Sequence, residues 1–408
     1  MSSVLYVTTT FPTLAAFLEN EVHRLKARGV RVRVLTLRGR STSYQPEHAD
    51  LVPLTEPVGD PFDARAWLSL AGWLVRKPHV LVPAVARLLW ASRASGYALA
   101  GHMGYLPAAA RVATIAERED FERIHGAWAH FPASVAWLAS RLTGRRFSMA
   151  GHAGSDLYRT QAFLAEKVRA ADFVTACVRG NADMLRALAG PHARVEWIYH
   201  GVDRRRFDGT GRRPAAEPLL LCVGRLAATK GFDVAVRALG LLAARGMRPR
   251  LALVGDGPDR ASLEQLAVAC GVAAQVEFRG ALEQRAVLAL YREAWVLVSP
   301  SRVLANGRRD GIPNVIVEAL AMGLPCVGTR VAGIEEVVKD GVNGCIVPPD
   351  DPTALADALA TLLGDPARLE RMGAAARGSV DESLDADRTF ERVLALMAPG
   401  AGAVRRQA

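Results

Sequence analysis

Residues 299–336 read SPSRVLANGRRDGIPNVIVEALAMGLPCVGTRVAGIEE, and the rest of the chain is best read outward from them. The apolar run Trp295 to Ser299 has the length and β-branched content of a buried strand. A Gly- and Arg-containing loop follows, and Gly311-Ile312-Pro313-Asn314 opens a helix. A second strand is expected at 325–328, after Gly323. Strand, loop, helix and strand in that order build a parallel sheet. The amino end of a helix leaves N–H groups unpaired and carries about half a positive charge, so a phosphate can settle there. Asp310 lies just before this helix start and Glu318 lies inside it, eight positions further on. Two carboxylates around a phosphate seat can accept hydrogen bonds from hydroxyls, which is the chemistry needed to hold a sugar nucleotide.

Upstream segments supply the complementary charge. Val223-Gly224-Arg225-Leu226 ends another expected strand, and Thr229-Lys230-Gly231 follows it. An Arg fork binds phosphate through two parallel bonds, whereas Lys offers a compact charge. Each charge-assisted bond contributes roughly 1.5–3 kcal/mol. Val254-Gly255-Asp256-Gly257-Pro258 and Val276-Glu277-Phe278-Arg279-Gly280 close two further strands.

Together these segments resemble the donor site of the retaining family 4 glycosyltransferases, whose signature is Glu-x7-Glu and which share the GT-B fold. The likeness runs from about residue 2 to about residue 398 and is strongest over 219–349. Pro300-Ser301 and Ala305-Asn306-Gly307 lean it toward the exopolysaccharide or colanic-acid-like branch. It implies an α/β architecture of two Rossmann-like, doubly wound parallel-sheet domains facing each other across a cleft. Donor binding would fall to Gly224, Arg225, Lys230, Arg279, Gly311, Ile312, Pro313, Asn314, Val315 and Glu318. Of these, Glu318 would take the ribose hydroxyls, and Arg279 would lie near the base. Catalysis would use Arg225, Lys230, Asp310 and His152, with His152 positioning the sugar and stabilising charge. In such a reaction the leaving phosphate helps remove the acceptor proton, so no protein nucleophile is required. His130, Asp156 and Thr10 would serve the acceptor.

The departures from the family pattern carry information. Asp310 stands where the family has Glu, and the lost methylene retracts the carboxylate by about 1.5 Å. Hydrogen bonds tolerate only about half an ångström of spread, so the loop must come closer or the donor sugar must differ. Arg308 and Arg309 beside it would suit an acidic sugar, or could simply pair with Asp310 or face water. In Gly151-His152-Ala153-Gly154-Ser155-Asp156 one extra residue separates His152 from Asp156, compared with His-Ala-x-Asp in the family. The first loop reads Leu14-Ala15-Ala16-Phe17 where this branch has Ser-Glu-Thr-Phe. His200 replaces the Asn of Asn-Gly-Val-Asp. Glu21 either faces solvent, caps a neighbour or meets the acceptor.

Composition limits the alternatives. The 408 residues are 50% hydrophobic and 23% charged, as in a globular chain of two or three domains. No uncharged apolar run is long enough to span a membrane, and no secretory signal is expected at the start. The five cysteines are dispersed and read as reduced core residues of a cytoplasmic protein. No Asp-x-Asp precedes the donor loop, so no metal or other cofactor is expected. Residues 1–213 hold 29 Lys and Arg against 18 Asp and Glu, and residues 214–408 hold 22 against 23. A basic first half suits an anionic membrane surface, as at the inner face of a cell membrane, or a lipid-pyrophosphate acceptor. It lacks the aromatic-interleaved basic module of a nucleic-acid binder.

Expected strands at 3–8, 31–37, 124–129, 146–150, 173–177 and 195–199 place an acceptor domain over 1–205. Residues 206–218 read as a linker, and 219–384 form the donor domain. A last helix, about 385–398, should pack back on the first domain, as in the family. Residues 64–119 are mostly helical, with Pro78, Pro83 and Pro107 as breaks. Trp67, Leu70, Trp73 and Leu74 have helical spacing that fits either a core face or a membrane-docking surface. The function this reading favours is retaining transfer of a sugar from a nucleoside diphosphate to a saccharide or lipid-linked acceptor, in exopolysaccharide or cell-surface glycan synthesis. A nucleotide-sugar epimerase of the same fold and a non-catalytic nucleotide-sugar-binding subunit are the rivals. A dinucleotide oxidoreductase is disfavoured, because the first strand lacks a Gly-x-Gly-x-x-Gly turn.

Overall fold

A computed structural model describes residues 2–13, 17–41, 44–154, 156–331 and 333–398. The first-loop residues Leu14, Ala15 and Ala16, and Ser155, lie outside the described residues. The chain divides into two compact units, one of residues 1–198 and 390–408 and one of residues 199–389.

The first unit has seven strands: β1 (Ser3–Thr8), β2 (Arg31–Thr36), β3 (Thr55–Pro57), β4 (Arg123–Gly126), β5 (Arg146–Gly151), β6 (Val174–Ala176) and β7 (Val195–Trp197). They pair in parallel in the order β3-β2-β1-β4-β5-β6-β7. The second has six: β8 (Leu219–Val223), β9 (Arg250–Val254), β10 (Val276–Gly280), β11 (Val296–Ser299), β12 (Cys326–Thr329) and β13 (Gly344–Val347). Their parallel order is β10-β9-β8-β11-β12-β13. The apolar runs of Val and Leu in β1 and β8 follow from burial on both faces. In each sheet the order reverses between the first strand and the fourth, at β1/β4 and at β8/β11. Ligands of such sheets bind beyond the carboxyl ends of strands at that reversal. The loops after β1, β4, β8 and β11 therefore deserve closest reading.

Six helices of the first unit matter below: α1 (Phe17–Ala27), α2 (Ala64–Arg76), α3 (Pro78–Ser92), α4 (Gly96–Gly104), α5 (Leu106–Arg118) and α6 (Phe131–Thr143). Pro78 and Pro107 open helices, where their missing N–H costs nothing. Pro83 is not a break: it lies inside α3, on an exposed face where the freed His79 carbonyl can meet water. The expected strand at 124–129 ends at Gly126 instead. Ala127 to His130 form a turn into α6, so both histidine-bearing segments are strand-end loops. β3 escaped sequence reading, because three residues carry no periodicity.

The segment read as a linker is packed against the second unit. The Arg212 guanidinium donates to the carbonyls of Tyr291, Ala294 and Gly323, and Trp295 Nε1 donates to Ala215 O at 2.8 Å. Phe207 is buried with Val202 and Tyr291 in the core beneath β8 and β11. A guanidinium capping three carbonyls holds a Gly- and Arg-rich strap that has no apolar period of its own. Helix Ala386–Met397 starts in the second unit and ends in the first. There Phe390, Leu394 and Met397 join Val22, Leu25 and Val32 in one core.

Several polar groups buried inside the first unit are paired. His125 is buried, with Nδ1 2.9 Å from Ser148 Oγ, and burial pushes its pKa down to about 3. His102, between Ser92 and Ser134, is likewise lowered to about 3. Glu21 accepts from the Tyr6 hydroxyl at 2.6 Å, which settles it as a partner inside the unit rather than an exposed acid. The cysteines are free thiols, and Cys177, Cys222 and Cys326 are buried.

The two histidines give a pH dependence. Both are neutral in the folded unit, whereas an unfolded His binds a proton below about 6.5. The unfolded state therefore holds more protons between that value and about 3. Stability is full above about pH 6.5 and falls on acidification, by about 1.4 kcal/mol per pH unit for each histidine. Urea titrations across this range should show a slope shallower by that amount in His125→Gln. An unchanged slope would mean that His125 titrates normally.

Candidate active site

Lys230 and Asp310, both expected on the donor side, meet where the loops after β8 and β11 come together. β8 runs into Gly224, whose φ of 151° and tight loop let the chain turn beside the β9 end, where Gly255 N donates to Gly280 O at 2.7 Å. A single helical turn, Ala228–Lys230, ends at Gly231 with φ 63°. A Cβ on Gly231 would lie 2.0 Å from Pro300 O, so only glycine lets the loop after β11 pack here. Three further contacts fasten the two loops. Arg302 N donates to Thr229 O at 2.9 Å, and the Arg302 guanidinium pairs with Asp233 at 2.8 Å and Asp350 at 2.7 Å.

This stitching sets Lys230 Nζ 3.1 Å from Asp310 Oδ2. Ser301 Oγ donates to the same oxygen at 3.1 Å. Thr329 Oγ1 in turn donates to Ser301 O. Asp310, which the motif assigned to sugar hydroxyls, is thus also the counter-ion of Lys230. Gly311, Ile312 and Pro313 lead from it into helix Asn314–Ala321, which has no side-chain cap. The N–H groups of Asn314 and Val315 belong to the unpaired first turn. Ile316 differs: its N–H donates to Pro313 O at 2.9 Å and its side chain is core, so it offers no contact. Glu318 Oε2 accepts from the buried Tyr291 hydroxyl at 2.8 Å, and burial raises the Glu318 pKa. Arg225 is exposed at the strand end. Arg279 is also exposed, but it is tied to Glu277, which binds Arg250 as well. That pairing gives Arg279 a structural duty beside the base-contact role expected of it.

In the first unit the loops after β4 and β5 are bracketed by one carboxylate. Asp156, only 2% exposed, accepts from His130 N at 3.1 Å, His130 Nδ1 at 3.0 Å and His152 N at 2.8 Å. Burial alone would raise its pKa, but these bonds hold it below the usual range. Both oxygens are engaged inside the unit, and Asp156, expected at the acceptor, positions the two histidines. With its Nδ1–H on Asp156, His130 is left with Nε2 as its free working atom. His152 Nε2 donates to Ala127 O at 2.9 Å, and its ring lies edge-on to Trp128 with centroids 4.7 Å apart. Burial lowers its pKa, so the ring is neutral and fixed in orientation. Thr10 sits in the loop after β1, half-buried. In that loop Thr13 Oγ1 donates to the buried Glu19 at 3.0 Å.

Sequence reading missed Tyr291, Ser301 and Lys167. Lys167 is fully buried, donating to the carbonyls of Ala129 and His130 and to Ser134 Oγ at 3.0 Å, and burial lowers its pKa to about 7. A lysine in a short helix far along the chain gives no signal of such a task. Ser301 was legible only as part of the quoted stretch.

The comparisons follow the same lines. The family model for glycosyl transferases group 1 matches residues 217–365. A GDP-mannose-dependent alpha-(1-6)-phosphatidylinositol monomannoside mannosyltransferase of Mycobacterium tuberculosis is 31% identical over 309 residues, covering 70% of this chain and 80% of that protein. The protein of the same description from Mycolicibacterium smegmatis is 35% identical over 217 residues, 57% of its length. A putative colanic acid biosynthesis glycosyltransferase, WcaL, of Escherichia coli is 34% identical over 180 residues, 44% of each chain. Among solved structures, Anabaena Alr3699/HepE in complex with UDP and glucose superposes with a TM-score of 0.73 over 97% of this chain and 99% of that one, at 16% identity.

Asp156→Ala would strand three donors and release both loops. We expect a loss of about 3 kcal/mol in the urea unfolding of the first unit, within the range for breaking a buried charged network. A loss below about 0.5 kcal/mol would show that the bracket is not structural.

Proposed function

This chain belongs to the group 1 glycosyltransferases and has the GT-B fold, and from that premise we propose that it transfers a sugar from a nucleoside-diphosphate donor with retention and without a metal ion. The observation that carries the proposal is the Lys230–Asp310 pair at the amino end of helix Asn314–Ala321. A cation and a helix terminus are brought together there, where a departing diphosphate needs both. In the step proposed, the bond between the anomeric carbon and the diphosphate oxygen breaks. The new bond forms to the acceptor oxygen on the same face, and the acceptor proton passes to the departing phosphate. Lys230, Arg225 and the N–H groups of Asn314 and Val315 stabilise the charge that grows on that phosphate. On donor arrival Lys230 exchanges its Asp310 partner for phosphate, and Asp310 becomes available to a sugar hydroxyl. Glu318, steadied by Tyr291, accepts from the ribose.

Burial has a cost that supports this role for Glu318. A carboxylate whose pKa is raised by an apolar setting gains when hydroxyl donors arrive. His152 and His130 are assigned to the sugar and the acceptor, His152 by positioning and His130 through Nε2. The likeness to mannosyltransferases acting on phosphatidylinositol monomannoside and to WcaL supports a saccharide or lipid-linked acceptor in cell-surface glycan synthesis. The site of action proposed is the cytoplasmic face of the cell membrane. No helix among the described residues is long and apolar enough to cross a membrane, so the association proposed is peripheral.

A mass-spectrometric screen of UDP-, GDP- and ADP-sugars, including uronic acids for Arg308 and Arg309, should show nucleotide diphosphate released with one donor class. Lys230→Ala should lower kcat by about 10²-fold or more on that donor. EDTA should leave the rate unchanged. A chelator-sensitive rate would refute metal independence. Full activity in the Lys230 variant would refute the phosphate cradle.

A further inference from the structure

The first unit carries a surface that sugar transfer leaves unused. α2 buries only Ala66 and Trp73, whose Nε1 donates to Thr114 Oγ1 at 3.1 Å. On its other side Trp67, Leu68, Ala71, Leu74 and Val75 recur at helical spacing and face solvent. Leu68 is 72% exposed and Val75 82%. The Trp-rich stretch thus divides, with Trp73 in the core and Trp67 and Leu74 outside. α3 packs on α2 and adds Val82 and Trp90, the latter 68% exposed. α4 packs on α3 and adds Met103. Solitary exposed apolar residues are ordinary, but five along one face of α2, with more on the helices packed beside it, mark an interaction site.

The charges around the stripe say what covers it. Of the six lysines and arginines in residues 64–116, Arg65, Arg76 and Arg111 pair with Asp63, Glu117 and Glu56, while Arg87 and Arg93 are exposed along α3 and at its end. Arg87 lies on α3 one turn before Trp90. The Arg93 guanidinium lies over the Trp90 ring, 4.0 Å from its centroid. Two copies of this face would set cation against cation, which opposes self-association. A folded acidic protein would meet the arginines but would not require so many free aliphatic side chains. An anionic bilayer satisfies both features: aliphatic side chains dip below the headgroups, indoles sit at the interface, and guanidinium groups reach lipid phosphates.

We propose that the outer face of α2, with α3 and the end of α4, lies on an anionic phospholipid surface. The inference rests on the lipid-proximal reading above and deepens it by assigning the side chains that touch lipid.

The test uses the full chain and vesicles of phosphatidylcholine alone or mixed with phosphatidylglycerol at roughly 7:3, a surface charge that attracts basic segments. The protein should sediment with the mixed vesicles and not with the neutral ones, and its Trp emission should shift to the blue. Leu68→Glu/Val75→Glu should lower the partition coefficient at least about tenfold, since both side chains would leave the apolar layer. Arg87→Glu/Arg93→Glu should lose binding chiefly at low salt. All four positions are solvent-facing, and circular dichroism with thermal melting checks that the variants fold. Failure of the wild type to sediment, or wild-type binding by the Leu68/Val75 variant, would overturn the proposal. So would a concentration-dependent dimer, without vesicle binding, that this variant abolishes. Diphosphate release from the donor without vesicles is measured in parallel. Vesicle binding without turnover would remove the transferase reading alone, and turnover without binding would remove the surface alone.

Discussion

The ion pair between Lys230 and Asp310 depends on two loops being held in register, and much of the second unit is arranged to hold them. Neither loop has a regular structure of its own to fix it. Gly231 admits the Pro300 carbonyl, Arg302 draws Asp233 and Asp350 together, and Thr329 secures Ser301. The result is a cation paired with a carboxylate in the loop that leads, four residues on, into helix Asn314–Ala321. Such a pair holds the Lys230 side chain in one orientation. It also accounts for aspartate where the family has glutamate: the retracted carboxylate is reached by Lys230 and Ser301, which share its Oδ2.

The first unit solves a similar problem with an anion. Asp156 gathers the backbone of His152 and both the backbone and ring of His130. Lys167 approaches the same loop from below and takes the carbonyls of Ala129 and His130. Donors of the loop are satisfied by a buried carboxylate and its acceptors by a buried ammonium. Each charge is costly to bury alone, and each is tolerable because hydrogen bonds surround it. The two histidines are left with defined tautomers on strand ends, rigid in place and neutral in the case of His152.

Much of this was legible from residue order. Strand-helix alternation, with glycine at strand ends, gave the two parallel sheets to within a few residues at most boundaries. Asp310-x7-Glu318, with Arg225 and Lys230 upstream, pointed to the family whose model matches residues 217–365. Errors fell where local pattern carries no signal. The strap at 206–218 has linker composition, yet Arg212 binds three carbonyls of the second unit. Pro83 obeys helix rules only if one knows which face is wet. That Asp156 also brackets two histidines is invisible along the chain, because its burial and partners are properties of the folded loops.

Spacing along the chain determined what could be decided over a few residues: strand ends, helix starts and the residue types gathered there. The hydrophobic period and the special backbone freedom of glycine are local, so sequence carries them directly. Tertiary structure alone decided which charge faces which. Lys230 and Asp310 are eighty positions apart, and Lys167 lies far from the His130 loop it supports. The same holds for the two faces of α2, where Trp73 is buried and Leu68 is not. Distance in space, and with it desolvation, is set by packing of the whole sheet, and no window of sequence contains it.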